Sequence, residues 1–566
     1  MQIQKYKYGF LLFVAILSSC VNGQIGQNAS GQFKNGMVVS ASDYASNVGV
    51  EILKKGGNAV DAAVAVQFAL AVVYPNAGNL GGGGFMVYRS AKGEMATLDF
   101  REKAPSLSTR DMYLDASGNP IIEKSLYGAL AAGVPGSVAG MEEAHKKFGK
   151  LKWAELIQPS INLAENGFEI TARQARELNE LKGKLVQLNP LGTNLINKNA
   201  VWKEKDKLIQ TELATTLKLI RDKGKKGFYE GPVADSIVAE MKRGNGIITL
   251  QDLKNYTAEW REPLTGTYRG YKIITMPPPS SGGIALLQLL KSVEPYALNK
   301  YGFNSDSTVQ LMVEAERRVY ADRASYLGDP DYFKVPVQQL LSNEYIQGRM
   351  SSFSFAKAGN SNEILAGVLS PAEHEETTHF SIVDREGNAV SLTTTLNGSY
   401  GSAVVVKGAG FLLNNEMDDF SVKPGAPNMY GLVGGEANAI EPGKRMLSSM
   451  TPTILEKDGK LFMVVGTPGG STIITSVFQT ILNVIDFEKT MQAAVSAKKI
   501  HHQWLPDVVN YEEGALDSLV LKKLNSKGYL LKQRGPIGRV DAILITKWGY
   551  YQGGADPRGD DAIVAY

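Results

Sequence analysis

The most informative stretch of the chain is residues 376–395, which read ETTHFSIVDREGNAVSLTTT. Apolar and β-branched residues over 379–384 and 389–395 predict two strands, and the turn residues Arg385-Glu386-Gly387-Asn388 between them predict a hairpin. Residues 351–376, which precede it, are rich in Ser, Gly, Asn and Glu and are typical of an exposed, mobile connection. Thr377 therefore stands where a mobile connection meets a strand.

A threonine at such a junction suggests a specific kind of chemistry. Its hydroxyl is a weak nucleophile unless a base accepts its proton. A threonine at a free N-terminus carries its own base, because the pKa of an α-amine is about 8. Thr377 gains that amine only if the chain is cut after Glu376. Taken alone the junction proves little, since threonine is common at the start of a strand.

Two further motifs suggest anion binding. Pro468-Gly469-Gly470-Ser471 lies between a predicted strand, 461–465, and a predicted helix, 472–485. Backbone N–H groups at a helix start favour negative charge, and glycines let them reach a developing oxyanion. Asp99-Phe100-Arg101-Glu102 ends a strand-like run and offers a guanidinium that matches a carboxylate. A plain turn and a surface ion pair remain open for these motifs when each is taken singly.

The first half of the chain reads as mainly helical. Residues 44–73 predict two helices interrupted by Gly56-Gly57-Asn58, the second one apolar on most sides. Four consecutive glycines in Asn79-Leu80-Gly81-Gly82-Gly83-Gly84-Phe85 indicate close approach of backbones or of a ligand. They do not form a phosphate-binding loop, because no Gly-Lys-Ser/Thr follows. Residues 138–260 predict a layer of helices.

Composition excludes several classes of function. A length of 566 residues suggests about four domains of ordinary size. The chain carries 60 Lys and Arg against 57 Asp and Glu. No basic patch suited to nucleic acid is visible. A single cysteine excludes an intramolecular disulfide, and the five histidines form no zinc-binding pattern. We expect no metal, no cofactor and no nucleic-acid partner.

The N-terminus predicts export. Lys5 and Lys7 precede an apolar run, 10–17, that is too short to span a bilayer, and Ser18-Ser19-Cys20 follows. This indicates a signal peptide over 1–20 and resembles a bacterial lipobox, in which Cys20 is acylated. Polar residues 21–36 then form a flexible tether. We expect a periplasmic or outer-membrane lipoprotein that touches the membrane only through its lipid. Ordinary signal cleavage and a buried strand are the alternatives.

Nine runs, in order over roughly residues 36–566, resemble motifs of the γ-glutamyltranspeptidase family. Single runs are weak, whereas nine in order are highly specific. They are Gly56–Ala63, Asn79–Phe85, Asp99–Glu102, Thr377–His379, Leu413–Phe420, Leu447–Met450, Pro468–Ser471, His501–Pro506 and Asp556–Arg558.

The resemblance implies an α+β fold, the N-terminal-nucleophile hydrolase fold. This is a four-layer αββα sandwich with two stacked, mainly antiparallel sheets between helical layers. It also implies a precursor that cuts itself between Glu376 and Thr377 into a large subunit, 37–376, and a small subunit, 377–566, which form one interlocked heterodimer. The implied activity takes the γ-glutamyl group from glutathione and related donors to water, amino acids or peptides.

The resemblance also implies a role for each site residue. Thr377 is the nucleophile, Thr395 hydrogen-bonds it, and Gly469 with Gly470 forms the oxyanion hole. The donor α-carboxylate is bound by Arg101, Ser448 and Ser449. The donor α-ammonium is held by Asn397, Glu416 and Asp419. Tyr430 belongs to a lid over 424–435.

Two other functions stay open. One is an acylase of the same fold that acts on cephalosporin or glutaryl side chains; the lid and the carboxylate-binding group Arg101, Ser448 and Ser449 argue against it. The other is a surface lipoprotein that binds peptides without catalysis, which the intact Thr377 and glycine pair argue against.

Overall fold

The computed structural model describes residues 33–197, 200–365 and 377–566, with the exception of 424, 427, 430 and 433. Three predicted functional residues, Cys20, Glu376 and Tyr430, lie outside the described residues. The predicted signal peptide and most of the tether lie outside them as well.

Eighteen strands and eighteen α-helices form in the described ranges. The strands are β1 Gly36–Ser40, β2 Gly83–Arg89, β3 Met95–Asp99, β4 Phe168–Glu169, β5 Lys207–Leu208, β6 Glu259–Arg261, β7 Leu264–Tyr268, β8 Tyr271–Thr275, β9 Thr378–Asp384, β10 Ala389–Thr395, β11 Thr453–Lys457, β12 Lys460–Gly466, β13 Ile500–His501, β14 Val509–Glu512, β15 Leu531–Arg534, β16 Asp541–Ile545, β17 Tyr551–Gly554 and β18 Ala562–Ala565.

The helices are α1 Asp43–Lys54, α2 Ala59–Val73, α3 Ile122–Leu126, α4 Ser137–Phe148, α5 Trp153–Asn166, α6 Ala172–Leu188, α7 Thr211–Lys223, α8 Lys226–Tyr229, α9 Pro232–Gly244, α10 Leu250–Asn255, α11 Gly282–Val293, α12 Leu298–Tyr301, α13 Asp306–Tyr326, α14 Val337–Leu340, α15 Asn343–Met350, α16 Thr472–Ile485, α17 Met491–Ser496 and α18 Ser518–Ser526. Within the described ranges, no helix has the length and apolar character needed to cross a membrane.

Two large antiparallel sheets form the centre. The first has the order β18-β1-β9-β10-β2-β3-β6, and the second has the order β17-β16-β12-β11-β8-β7. An apolar cluster lies between them, with Val39 and Phe85 from the first sheet and Ile454 and Val464 from the second. Each sheet contains strands from both halves of the chain, so the halves share one core.

Helices cover both outer faces. A core that includes α1, α2, α4 and α5 packs on the first sheet, and one that includes α11, α13 and α16 packs on the second. The layers therefore follow the order helix, sheet, sheet, helix, because each sheet has two apolar faces to bury. The predicted αββα sandwich is confirmed.

The predicted hairpin is present, and glycines bring its neighbour close to it. Strands β9 and β10 pair in antiparallel register at the middle of the first sheet, with β2 beside β10. A Cβ at Gly82 would lie 2.0 Å from the Thr395 carbonyl oxygen, and one at Gly84 would lie 2.4 Å from that of Thr393. The glycine run therefore permits close backbone approach at the end of β10.

The two predicted N-terminal helices are α1 and α2. The Asn58 side chain accepts hydrogen bonds from the backbone N–H groups of Val60 and Asp61 at the start of α2, which satisfies donors that a helix start leaves free. Every residue of α2 is buried. Its apolar sequence thus reflects a helix in the centre of a layer.

Candidate active site

Thr377 is buried one residue before β9, with 4% of its surface exposed. Its Oγ1 is 3.5 Å from Oγ1 of Thr395, the last residue of β10. The antiparallel hairpin causes this meeting, because it pairs Thr378 with Thr394. Thr395 Oγ1 also accepts a hydrogen bond from the backbone N–H of Asn397 at 2.7 Å, which holds that hydroxyl in place.

His379 is unsuited to act as the base for Thr377. Its Nδ1 lies 2.9 Å from Thr393 Oγ1 and its Nε2 lies 3.1 Å from Ser381 Oγ. Complete burial lowers the pKa of His379 to about 3, so the ring is neutral at physiological pH. Both ring nitrogens are therefore occupied by structural hydrogen bonds.

Arg101 is held between carboxylates on the floor of the site. It follows β3, and Asp99 Oδ1 accepts a hydrogen bond from its backbone N–H at 2.9 Å. Its Nη1 is 2.6 Å from Glu416 Oε2, and its Nη2 is 2.5 Å from Asp419 Oδ2. Glu102 Oε2 lies 3.5 Å from Nη1. The Arg101 side chain is 1% exposed, so these contacts are largely shielded from bulk solvent.

This cluster is short of positive charge. Three carboxyl groups surround one guanidinium, and burial is the main factor that raises their pKa values: to about 8 for Glu102, and above the ordinary range for Glu416 and Asp419. Arg101 opposes the shift without cancelling it. A buried cluster of this kind gains stability from a proton or from another cation. An ammonium group is such a cation.

One cavity brings most of the predicted site residues together. Eight of them line it, and Glu416 contacts it through Arg101, whereas Gly469 lies just outside the lining. Three apolar residues, Leu432, Met450 and Ile473, complete the wall. The eight are Arg101, Thr377, Thr395, Asn397, Asp419, Ser448, Ser449 and Gly470.

The glycine pair has a backbone that other residues rarely adopt. Gly469 has φ 135° and Gly470 has φ 49°, a region that favours glycine. Thr472 donates to the Gly469 carbonyl from its backbone N at 2.9 Å and from Oγ1 at 2.8 Å, at the start of α16. No described residue accepts a hydrogen bond from either glycine N–H. Both donors are thus available at a helix N-terminus, where negative charge is favoured.

The described residues of the predicted lid lie against the same cavity. Asn428 Nδ2 donates to Asp419 Oδ1 at 3.1 Å, and the Met429 N–H donates to Asp418 Oδ2 at 2.8 Å. Gly435 N–H donates to the Ala324 carbonyl at 3.0 Å, which ties the end of the loop to α13. Leu432 reaches the cavity wall.

Sequence reasoning missed two charged residues of this site. Arg323, on α13, donates to Ser449 Oγ from Nη2 at 3.1 Å. Glu102 lies in a quoted motif but received no role. Arg323 belongs to none of the nine motifs. The available signal was a run of charged residues in α13 that are buried, which a sequence does not distinguish from a solvated helix face.

Comparisons with known proteins identify the family of the chain. The profile of the family described as Gamma-glutamyltranspeptidase matches residues 45–566. A glutathione hydrolase proenzyme from Escherichia coli (strain K12) is 47% identical over 539 residues, covering 94% of this chain and 92% of that protein.

Two solved structures are similar in fold. One is the gamma-glutamyltranspeptidase of Helicobacter pylori, with 44% identity and a TM-score of 0.57 over 59% of this chain and 95% of the solved one. The other is a cephalosporin acylase from Bacillus halodurans, with 26% identity and a TM-score of 0.82 over 100% of this chain and 99% of that one. The chain belongs to the gamma-glutamyltranspeptidase family.

Proposed function

We propose that this protein is a self-processing γ-glutamyltransferase and glutathione hydrolase. One observation carries the proposal: the Thr377 hydroxyl shares a buried cavity with Arg101 and Asp419. A guanidinium beside a carboxylate complements the carboxylate and ammonium of an amino-acid head group. A donor bound by that head group presents its side-chain amide to Thr377. The Escherichia coli relative, 47% identical, carries the name of this activity.

Maturation creates the nucleophile. Thr377 Oγ attacks the carbonyl carbon of Glu376, the C–N bond between the two residues breaks, and an ester replaces it. Water then opens the ester, which leaves a carboxylate on Glu376 and a free α-amine on Thr377. The large subunit, 37–376, and the small subunit, 377–566, stay joined because β1 of the former pairs with β18 and β9 of the latter.

Donor binding exchanges one set of ion pairs for another. The α-carboxylate of the donor takes the Arg101 guanidinium and receives hydrogen bonds from Ser448 and Ser449. The α-ammonium takes Glu416 and Asp419, with Asn397 beside them. Because the entering head group is zwitterionic, each buried charge keeps an opposite partner, which avoids the cost of an unpaired charge.

The acyl transfer then proceeds at Thr377. Its α-amine accepts the hydroxyl proton while Oγ attacks the γ-carbonyl carbon of the donor. The N–H groups of Gly469 and Gly470 stabilise the oxyanion; loss of one such donor costs about 10²- to 10³-fold in kcat in other enzymes. The C–N bond breaks, the amine leaves with the proton, and a γ-glutamyl ester remains. Water, or the amine of an amino acid or peptide acceptor, releases it.

The enzyme acts outside the cytoplasm. Acylation of Cys20 anchors it in the bacterial cell envelope, and residues 21–36 hold the catalytic fold away from the membrane. Labelling cells with a radioactive fatty acid tests this: in the wild type the label is on the N-terminal chain, in which the tether joins Cys20 to the large subunit, and Cys20→Ser carries none. A labelled Cys20→Ser variant would contradict the anchor.

A denaturing gel with a donor assay tests the central proposal. The wild type is expected to give two bands and to hydrolyse γ-glutamyl-p-nitroanilide, whereas Thr377→Ala gives one band and no turnover. Unprocessed wild type with full activity would refute the mechanism. Faster turnover of glutaryl than of γ-glutamyl anilide would support the acylase alternative. The observation that favours that alternative is the full-length similarity to a cephalosporin acylase. Binding without turnover of either donor would support the non-enzymatic alternative.

A further inference from the structure

A second guanidinium lies beside the cavity, and no described residue gives it a carboxylate partner. Arg323 on α13 is 5% exposed. Its Nε donates to Ser281 Oγ at 2.9 Å, and its Nη2 donates to Ser449 Oγ at 3.1 Å. Among the described residues, no carboxylate lies within ion-pair distance of it. Such an arrangement is costly, because a buried charge needs a partner of opposite sign.

Neighbouring arginines on the same helix do have such partners. Arg317 pairs with Glu314 and Asp507, and Arg318 Nη1 lies 2.7 Å from Glu314 Oε2. Burial lowers the pKa of Arg323, with only Tyr320 and Asp419 acting in the opposite direction from a distance. The environment of Arg323 is therefore that of a cation next to a site for an anion.

Arg323 braces both serines that face the donor α-carboxylate. It reaches the Ser449 hydroxyl directly. It reaches Ser448 through Ser281, whose Oγ and backbone N–H each donate to the Ser448 carbonyl at 2.7 Å. One guanidinium thus fixes the hydroxyl of one serine and the backbone of the other.

The direction of these hydrogen bonds is informative. A serine hydroxyl has one hydrogen and two lone pairs. Ser449 Oγ accepts from Arg323, and Ser448 Oγ accepts from the Met450 N–H at 3.2 Å. In the described part of the chain, neither hydroxyl donates to another group. Both hydrogens are thus available to an anion in the cavity.

We propose that Arg323 is a positioning residue that makes the enzyme select donors by their α-carboxylate; the inference rests on the proposed function. It directs the Ser449 O–H towards the cavity and adds positive charge behind the serine pair. Arg101 alone is less able to do this, because Glu416 and Asp419 already neutralise it. Arg323 acts through the serines and does not itself meet the reacting atoms.

Three p-nitroanilide donors separate this role from a structural one. γ-Glutamyl-p-nitroanilide carries both charges, glutaryl-p-nitroanilide keeps the carboxylate but lacks the ammonium, and 4-aminobutyryl-p-nitroanilide keeps the ammonium but lacks the carboxylate. Steady-state kinetics are measured on processed wild type, Arg323→Gln and Arg323→Lys. Arg318→Gln is the matched control, since it removes a buried arginine from the same helix away from the cavity.

Arg323→Gln is expected to lower kcat/KM about 10- to 100-fold for the two donors that carry the carboxylate, the usual effect of losing a charge-assisted hydrogen bond. Most of that loss is expected in KM, with little change for 4-aminobutyryl-p-nitroanilide. Arg323→Lys keeps the charge and is expected to recover part of the loss. Because Arg323 acts through Ser449, the double variant Arg323→Gln/Ser449→Ala is expected to lose less than the two single losses combined.

Equal losses for all three donors, or none for the carboxylate donors, would overturn the inference. If Arg323→Gln does not fold, the same comparison with Arg323→Lys decides the question. A wild type that turns over glutaryl but not γ-glutamyl anilide would instead refute the proposed function, so the two failures are distinguishable.

Discussion

Replacement of Gly82 by alanine tests how tightly the backbone positions the nucleophile. A Cβ at this residue would lie 2.0 Å from the Thr395 carbonyl oxygen and 2.8 Å from Asn79 Oδ1. Real Cβ contacts are essentially never shorter than 3.0 Å, so the backbones at Gly82 and at the end of β10 must separate by at least about 1 Å. We expect this separation to disturb the position of the Thr395 hydroxyl, which lies 3.5 Å from that of Thr377.

A displacement of about 1 Å can cost about 10²-fold in rate. We expect Gly82→Ala to slow processing and donor turnover by about this factor and to destabilise the fold by about 1–3 kcal/mol through overpacking. Processing is measured by band intensities on a denaturing gel, turnover with γ-glutamyl-p-nitroanilide, and stability by thermal unfolding.

Gly183→Ala is the matched control. Gly183 lies inside α6, and among the described residues no heavy atom other than those of its chain neighbours and the surrounding helix backbone lies within 4 Å of an added Cβ. Alanine there is expected to stabilise the helix by about 0.5–1 kcal/mol without changing either rate. The reasoning is refuted if folded Gly82→Ala processes itself and turns over donor at the rate of the control.

Three further predictions concern single groups. Thr395→Val is expected to reduce processing and kcat about tenfold or more, because it removes the hydroxyl beside Thr377, whereas Thr395→Ser retains most activity in the same gel and donor assays; equal rates in the two variants would contradict that role. Gly470→Ala, at φ 49°, is expected to lower kcat about 10²-fold with a smaller effect on KM, since it disturbs a proposed oxyanion donor; a change confined to KM would count against that role. The Glu102 pKa, raised from 4.5 to about 8 by burial, means that the folded state binds this proton more tightly. The contribution of Glu102 to the free energy of unfolding is therefore fully present below its unfolded-state pKa and is lost as the pH rises towards about 8. Glu102→Gln is expected to flatten the resulting decline in melting temperature between pH 5 and 8. An unchanged pH profile would contradict the assignment.

Local patterns were enough to predict individual elements. The hairpin over β9 and β10 and the helix pair α1 and α2 follow from alternation, turn residues and the Gly56-Gly57-Asn58 break. These signals operate over a few residues, as do strand alternation and helix capping. The αββα order needed the nine motifs, since no periodicity states which sheet a strand joins.

The chain length suggests about four domains, and the nine family motifs replaced this estimate with one interlocked fold. β1 pairs with β18, which is more than 500 residues away in the sequence, and β2 pairs with β10. Composition carries no information about such pairings, because they depend on complementary surfaces that exist only once the chain has collapsed. The two halves form a single core, which only the strand order reveals.

The chain's residues alone identify the chemical groups: a threonine that a cut can expose, a glycine pair before a helix, and an arginine after a strand. Tertiary structure decided how they are used. It placed Arg101 between Glu416 and Asp419, which are more than 300 residues away in the sequence. It also placed Arg323 behind the serines, where no described carboxylate forms an ion pair with it. Both facts are electrostatic, and electrostatic energies depend on distance and burial. Distance and burial are both set only when the two sheets pack together.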